Sequence, residues 1–338
     1  MAAAQLSPVP VRPMRAADVE PLRWVVYRSY LQILMELYGP ESATGYEVRS
    51  PEFMALYLRR DPAGCFVATA PDGAPAGAVF CFAWGQVGWF GSLAVAPEWQ
   101  GRGMGQALTG RAIDYLAARG CRRLGLETWP HSALVRHLYG KFGFRPVRST
   151  LKFSRPVGGP GEDGDGGDVE WSGPAPGAAL ERCLAAVGSV TAAQGAASPG
   201  EPWVDYRVEV EAPVASGWAD VAVARDAAGA PAGFVLCYLR RPGGGPVAAL
   251  DVRLMGVAPG RGAVAVLDRL LGACDARARG AGLPSVTVDA NLRHAEAAAL
   301  LRARRFRPVY ELLRMERPVP GFDPDARSPL IDYSRWAG

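Results

Sequence analysis

An internal repeat constrains the fold of this chain more than any other feature of its sequence. The segment APAGAVFCFAW at 74–84 returns as APAGFVLCYLR at 230–240, which is 156 residues later. The landmarks VAP and FRPV, which begin at Val95 and Phe144, both return 162 residues later. Three landmarks in the same order indicate a tandem duplication. The 338 residues therefore predict two domains of one type.

A stretch rich in Gly, Asp and Pro separates the two copies. Residues 157–177 read VGGPGEDGDGGDVEWSGPAPG and cannot bury much apolar area, so they predict an exposed linker. We therefore expect an N-terminal domain over 10–156 and a C-terminal domain over 178–320.

Each copy begins with antiparallel strands and continues with alternating helices and strands. In the first copy, a short strand at 10–13 precedes a helix for which Asp18 is the expected N-cap. The runs CFVATA and GAVFCFAW flank a PDGAP turn and predict a hairpin. A later helix ends at Gly120, as a C-cap would. This order predicts an α/β fold with a mixed sheet in each half.

Charge and cysteine patterns exclude several classes of function. The 37 basic and 33 acidic residues are too balanced for an electrostatic nucleic-acid binder. The six cysteines form no CxxC pair, so neither a zinc site nor a disulfide framework is expected, and we predict no metal. The sequence has no signal peptide and no run of 18 apolar residues, which predicts a cytoplasmic protein without a membrane segment.

The most informative local sequence is the glycine-rich loop from Gln100 to Gly105, which joins a predicted strand to a predicted helix. Glycines allow successive backbone N–H groups to turn toward one point, and a helix N-terminus adds about half a positive charge. Together these features predict a site for an anion such as a pyrophosphate. The loop matches neither GxxxxGK[ST] nor a full GxGxxG, which disfavours a nucleoside triphosphate or a dinucleotide.

The loop also carries a family resemblance. Gln-x-x-Gly-x-Gly between a strand and a helix resembles the acetyl-CoA motif of the GNAT N-acetyltransferase superfamily, and ALVRHLYGKFGF at 133–144 resembles a second motif of that superfamily. The resemblance covers about residues 13–155. It implies two tandem GNAT-like domains, each with a splayed mixed sheet flanked by helices, and acetyl-CoA as a co-substrate.

The two-copy layout resembles that of tandem GNAT proteins, including the mycothiol synthases and the type found in the clavulanic acid gene cluster. That resemblance implies an N-acetyltransferase for a small-molecule amine, in specialised or antibiotic metabolism. The helical insert at 29–58 would cover such an acceptor. A homodimer stays an open alternative.

The resemblance assigns the pantetheine arm of acetyl-CoA to the main chain of the LAV strand, and its pyrophosphate to the glycine-rich loop. Ser132 at a helix start and His137 flank the same cleft. The full set of residues expected to bind acetyl-CoA is Leu93, Ala94, Val95, Gln100, Gly101, Arg102, Gly103, Met104, Gly105, Gln106, Ser132 and His137.

Two residues are the catalytic candidates. Tyr139 falls on the superfamily's tyrosine, which implies a proton donor near the CoA sulfur; a packing residue is the alternative. Glu127 ends the LGLET strand and would accept the amine proton directly or through water; an exposed strand-end carboxylate is the alternative. A backbone N–H near Ala94 or Val95 would meet the oxyanion. His131 also flanks the cleft.

The second copy departs from the motif. Its loop at 260–263 is about three residues shorter and has no Gln/Arg-x-x-Gly-x-Gly. At the 162-residue offset, Leu301 replaces Tyr139 and Arg305 replaces Gly143, whereas a carboxylate is kept at Asp289.

Polar candidates in the second copy are Asp251, Asp289 and His294. Two arrangements follow. In the favoured one, the N-terminal half catalyses acetyl transfer; in the other, its acetyl-CoA is structural and the C-terminal half transfers the acyl group, as mycothiol synthases are generally interpreted. A non-enzymatic acyl-CoA-binding protein is the third alternative.

Overall fold

The structure of the protein is a computed structural model. It describes side chains for residues 9–158, 169–173, 177–197, 199–291 and 295–317, and the backbone of 331–334. His294 and most of the predicted linker lie outside the described residues. The helices are α1 (Val19–Tyr38), α2 (Pro51–Arg60), α3 (Met104–Ala118), α4 (Ala133–Gly140), α5 (Ala178–Ala196), α6 (Arg207–Ala215), α7 (Ala263–Gly280) and α8 (Ala295–Ala303).

The described strands form one mixed sheet in the order β1-β2-β3-β4-β5-β12-β6-β11-β10-β9-β8-β7, and β13 pairs with β10. Their bounds are β1 (Val11–Pro13), β2 (Cys65–Thr69), β3 (Pro75–Trp84), β4 (Val87–Val95), β5 (Arg123–Thr128), β6 (Arg145–Pro156), β7 (Val169–Trp171), β8 (Ala219–Arg225), β9 (Pro231–Arg240), β10 (Pro246–Val257), β11 (Ser285–Asn291), β12 (Arg307–Arg317) and β13 (Ile331–Ser334).

The predicted mixed α/β fold is confirmed, and the halves follow the repeat. Antiparallel β2, β3 and β4 correspond to β8, β9 and β10, and the parallel pairs β4·β5 and β10·β11 follow. The predicted hairpin is β2·β3. Asp18 is the N-cap residue of α1, as predicted, but its side chain caps no N–H of that helix; its carboxylate accepts hydrogen bonds from Arg12 and the Arg15 N–H.

The last strands of the two copies are exchanged between the halves. β12, the end of the second copy, pairs with β5 of the first, and β6, the end of the first copy, pairs with β11 of the second. β6 and β12 also pair with each other, so the sheet is continuous across the predicted domain boundary. The repeat predicts both strands but not their partners.

Buried ion pairs fix each exchanged strand. On β12, Glu316 accepts two hydrogen bonds from Arg123 of β5, at 2.8 and 2.6 Å. On β6, Arg155 is ion-paired with Asp275 of α7, and its guanidinium lies 4.8 Å from the ring centroid of Phe306. Separating the partners of a buried ion pair is strongly destabilising while the remaining charge stays buried, so these contacts hold each exchanged strand to the half it joins.

Apolar side chains fill both faces of the sheet. All six cysteines are buried and free of disulfides, as their apolar surroundings predict. In the part of the chain that the structure describes, we found no helix with the length and apolar character required to cross a membrane.

Candidate active site

A cleft opens in the N-terminal half where two parallel strands diverge. β4 and β5 pair only from Val87 to Trp89, opposite 123–125. Beyond that point a bulge in β4, at Gly91 and Ser92, shifts its register against β3. The gap holds a cavity of about 310 Å³, lined by α1, β4, the glycine-rich loop, the end of β5 and α4.

The β4 edge that faces this cavity has main-chain groups available beyond the bulge. The N–H of Ala96 donates to the carbonyl of Ala76 on β3. Because hydrogen-bonding direction alternates along a strand, the groups of Ala94 also face β3, whereas those of Leu93 and Val95 face the cleft. Leu93 and Val95 line the cavity and Ala94 is buried, so the predicted main-chain role fits Leu93 and Val95.

The glycine-rich loop has the backbone geometry that an anion site requires. Gly101 and Gly103 have φ values of 73° and 85°, which only glycine adopts without strain. Gly103 is the N-cap of α3 and provides no side-chain cap, so the first N–H groups of the helix have no intrahelical partner. The loop residues that line the cavity are Gln100, Gly101, Gly103, Gly105 and Gln106.

Other side chains of the loop have structural contacts. Gln100 donates from Nε2 to the Val95 carbonyl and to Gln32 Oε1, both at 3.1 Å, which ties the loop to β4 and α1. The Arg102 guanidinium lies 4.7 Å from the ring centroid of Trp99, and the Met104 side chain is in the core. The side chains of Arg102 and Met104 are therefore engaged elsewhere, and neither of these two predicted residues lines the cavity.

The two flanking candidates on α4 differ in position. Ser132 is the N-cap of the helix, and its Oγ accepts a hydrogen bond from the Val135 N–H. His137 is exposed and lines the cavity. The hydroxyl of Ser132 thus already has a structural role, while His137 is positioned to reach a ligand. His131 is exposed in the turn before the helix.

Tyr139 lines the cavity from α4 and is held by an aromatic cluster. Its ring lies 5.9 Å from Phe90 and 6.2 Å from Phe144, both in edge contacts. Burial raises the pKa of the Tyr139 phenol above its usual range. The hydroxyl therefore keeps its proton through the neutral range and acts as a hydrogen-bond donor.

Glu127 lies at the far wall of the cavity, and its side chain is fully buried. Its Oε1 accepts hydrogen bonds from Arg314 Nε and Nη2, at 3.0 and 2.7 Å, and from Thr150 Oγ1 at 2.5 Å. Arg314 belongs to exchanged strand β12 and Thr150 to exchanged strand β6. The carboxylate predicted to accept a proton is thus fixed by both exchanged strands.

Three residues of the cleft had no signal in the sequence motifs. Tyr30 of α1 and Trp129 after β5 meet edge to face at 5.3 Å, and both line the cavity. Ser92, at the β4 bulge, has a buried Oγ without a hydrogen-bond partner among the described residues. Only the position of Tyr30 in the helical insert pointed toward the cleft.

The counterpart cleft in the C-terminal half is filled. β10 and β11 pair only over Leu250–Val252 and 286–288 and then diverge. Strand β13 lies in the gap, paired antiparallel with residues 254–257 of β10 and packed against β11. At the 162-residue offset, these β10 residues include the counterparts of Leu93 and Val95. A segment of the chain itself therefore takes the edge that is open in the first half.

The short loop of the second half lacks the anion-binding geometry. Gly262, the N-cap of α7, has φ −91° rather than a positive value. Leu301, the counterpart of Tyr139, is fully buried in the core. Arg305 keeps the positive φ of Gly143, at 60° against 81°. The backbone turn is the same in both halves, while the phenol and the glycine-rich loop are not.

Two polar candidates of the second half, Asp251 and Asp289, are ion-paired. Asp289 is 1% exposed and lies 3.3 Å from Lys152 Nζ, and Asp251 lies 2.7 Å from the same nitrogen. Lys152 stands on exchanged strand β6, 162 positions before Arg314. Glu127–Arg314 and Asp289–Lys152 are thus equivalent pairs, each between a strand-end carboxylate and a cation from the other half's last strand.

Comparisons with known proteins agree with this architecture. Residues 29–144 match the family model described as "Acetyltransferase (GNAT) family". A mycothiol acetyltransferase of Beutenbergia cavernae is 45% identical over 64 residues, which is 19% of this chain and 22% of that protein. The chain spans less than a quarter of the length of the curated relatives it matches.

Solved structures match over nearly the whole chain. A putative acetyltransferase from Pyrococcus horikoshii has a TM-score of 0.64 at 18% identity, covering 99% of this chain and 98% of its own. A tandem GNAT protein of the clavulanic acid biosynthesis pathway has a TM-score of 0.56 at 16% identity, covering 91% and 98%. The chain therefore has the tandem GNAT fold that its repeat predicts.

Proposed function

We propose that this protein is an acetyl-CoA-dependent N-acetyltransferase for a small-molecule amine, and that its N-terminal half does the chemistry. The observation that carries the proposal is the open cleft between β4 and β5 beside the uncapped N-terminus of α3. The match of residues 29–144 to the acetyltransferase family supports the reaction type.

The residues of the cleft fit acetyl-CoA. The edge of β4 at Leu93 and Val95 offers main-chain groups to the amides of a pantetheine arm, in the manner of an added strand. The N–H groups from Gly101 to Gln106 and the α3 dipole suit a pyrophosphate. Gly105 has no side chain, so a ligand can approach the backbone closely there. A Cβ at this position would lie 3.4 Å from Leu138 Cδ2. Bound acetyl-CoA supplies the activated acetyl group.

The chain's own residues then have distinct tasks. The Val95 N–H, on the cleft side of β4, is positioned to polarise the acetyl carbonyl. Tyr139 holds a proton at its Oη for the departing thiolate. Glu127 accepts the proton of the amine through a water, because its carboxylate is buried behind the cavity wall. Tyr30 and Trp129 provide an aromatic wall for the acceptor.

The biological setting is inferred from the relatives. Similarity to a mycothiol acetyltransferase and to a clavulanic acid pathway protein supports a small acceptor in specialised metabolism. The six cysteines are buried and form no disulfide, which supports a cytoplasmic location as part of the proposal. The catalytic residues come from one chain, so the proposal requires no homodimer.

Native mass spectrometry with acetyl-CoA, followed by a thiol-release assay over a panel of small amines, tests the proposal. We expect one CoA per chain and release of CoA thiol with at least one amine. Absence of CoA uptake would disprove the function. Uptake without thiol release for any amine would favour the non-enzymatic acyl-CoA-binding alternative.

A further inference from the structure

A second pocket lies between the two halves of the molecule. It has a volume of about 450 Å³, and residues from 45–53 form one wall. The turn after β9, the first part of β10 and Lys152 of exchanged strand β6 form the rest. We call it the interdomain pocket. None of its lining residues belongs to the cleft proposed for acetyl-CoA.

The pocket adjoins the acetyl-CoA cleft, since the guanidinium of Arg49 in its wall lies 5.4 Å from the ring centroid of Tyr30 in the cleft wall. Strand β10, which carries Arg253, lies farther away. In the sheet, β12, β6 and β11 stand between β5 and β10. Four intervals of about 4.8 Å place the strands roughly 19 Å apart. A small amine whose nitrogen is near Glu127 would not reach β10. A small ligand held by Arg253 is therefore a different molecule from a small amine at Glu127, in a site that adjoins the cleft.

Cations outnumber carboxylates in the pocket. Of the lining carboxylates, Glu47 is 2.9 Å from Arg241, and Asp251 is 2.7 Å from Lys152. A third carboxylate, Asp289, is buried behind Lys152. The cationic lining residues are Arg49, Lys152, Arg240, Arg241 and Arg253. Five cations against three carboxylates leave an excess of positive charge for a ligand.

Arg253 has the donors that such a ligand needs. Its side chain is 16% exposed, and its guanidinium lies 5.1 Å from the ring centroid of Tyr238. The nearest carboxylate oxygens, of Asp251 and Asp289, are 3.7 and 3.9 Å away, beyond hydrogen-bond distance. A guanidinium has five N–H donors, so a largely buried fork of donors is available at the pocket.

The acids beside Arg253 are held in place by other cations. Burial raises the pKa of Asp251, but the charges of Lys152 and Arg253 lower it further, so its pKa is below the usual range. Asp251 also accepts a hydrogen bond from Thr287 at 2.9 Å. Lys152 and Arg253 together balance the charges of the two acids, so Arg253 offers N–H donors to an anion and the exposed Arg240 adds a positive charge.

We propose that the interdomain pocket binds a small anionic molecule through a carboxylate or phosphate group, held by Arg253 and Arg240. This site is independent of acetyl transfer and would stand if the proposed function failed. Arginine suits it because its planar fork binds carboxylate and phosphate oxygens in pairs.

Isothermal titration of the full-length protein at low salt, with inorganic phosphate and with succinate as separate probes, tests the site and tells the two chemistries apart. We expect one probe to bind with a Kd below about 1 mM. Arg253→Met should weaken binding by at least 10-fold, Arg240→Met by less, and Arg253→Lys by less than Arg253→Met. Arg302→Met, at an exposed position on α8, should have no effect.

The glycine-rich loop of the first half is also an anion site, so Gly103→Val is included and should leave this binding intact. The proposal is overturned if neither probe binds, or if Arg253→Met and Arg240→Met both bind as the parent does. It is also overturned if binding is lost in Gly103→Val alone. Thermal melting establishes that each variant is folded.

Discussion

The two halves of this molecule share one scaffold, and they differ in what fills the gap between their parallel strands. In the first half the gap is a cavity of about 310 Å³ with an open β4 edge. In the second half the equivalent edge of β10 is paired with β13. A duplicated fold can thus keep its splayed sheet while one copy closes its ligand site with its own backbone, because a strand satisfies the same main-chain groups that a pantetheine arm would.

A second contrast concerns the loops that follow the paired edges. The first half has two glycines at positive φ before α3, whereas Gly262 before α7 has φ −91°. The halves nevertheless depend on each other, since each strand-end carboxylate is neutralised from the other half. This contrast supports the proposal that the first half is the ligand-binding copy, while the second supplies part of its framework.

The interdependence predicts the largest effect. Arg314→Met removes the cation that donates two hydrogen bonds to the buried carboxylate of Glu127, and we expect a loss of about 3–5 kcal/mol in the free energy of unfolding. Denaturant unfolding followed by circular dichroism measures it. Arg317→Met, on the same strand but without an ion pair among the described residues, should cost less than about 1 kcal/mol.

Lys152→Met sharpens the comparison, because it breaks the equivalent pair of the second half. Both variants should lose stability, yet only Arg314→Met should also lower acetyl transfer, measured where each protein is fully folded. Equal losses of transfer would mean that the second half takes part in the chemistry.

A glycine substitution in the loop of the first half should weaken CoA binding, whereas one in the loop of the second half should not. Gly103→Val places a β-branched residue at φ 85° and covers the N-terminus of α3. Loss of two charge-assisted hydrogen bonds, at about 2 kcal/mol each, predicts roughly 1000-fold weaker CoA binding by calorimetry. Gly262→Val is the matched control, since its φ is ordinary and nothing lies within 4 Å of the added Cβ. Equal weakening by both changes would contradict the one-site proposal.

Removing the phenol of Tyr139 should lower the rate of acetyl transfer, whereas a change at the equivalent position of the second half should not. Tyr139→Phe removes the proton donor and should lower kcat about 100-fold with little change in CoA affinity. Burial raises the pKa of Tyr139, so the phenol stays protonated as pH rises, and the parent should keep its activity up to about pH 10. A fall in rate with an apparent pKa below about 9 would point to another acid.

Its control is the equivalent position of the second half. Leu301→Met conserves core volume and should leave kcat within about twofold. If Tyr139→Phe is harmless and Asp289→Asn abolishes transfer, the C-terminal half is catalytic instead.

The sequence predicted those structural features that residues close together in the chain determine. The loop at 100–105 was predictable because glycine, φ and the helix start belong to neighbouring residues, and the hairpin around PDGAP for the same reason. The partners of β6 and β12 were not, because a strand's own sequence specifies which of its faces is buried and not which edge it joins. The ion pair between Glu127 and Arg314 forms because β12 joins β5, so the sequence did not predict this ion pair either.

The smallest effect tests whether the turn after α4 and α8 has stayed the same structure in both halves. Gly143 at φ 81° has nothing within 4 Å of an added Cβ, so Gly143→Ala adds only backbone strain. A left-handed L-residue costs about 1–2 kcal/mol, partly offset by the lower entropy of the unfolded chain, so we expect a net loss of about 1 kcal/mol. Arg305→Gly relieves the same strain at φ 60° and should stabilise by less than about 1 kcal/mol.

Gly140→Ala, at the end of α4 without a positive φ, is the control and should not destabilise. Chemical unfolding of the three variants gives the signs, and a loss of stability in Arg305→Gly would show that the arginine makes contacts that outweigh its strained backbone.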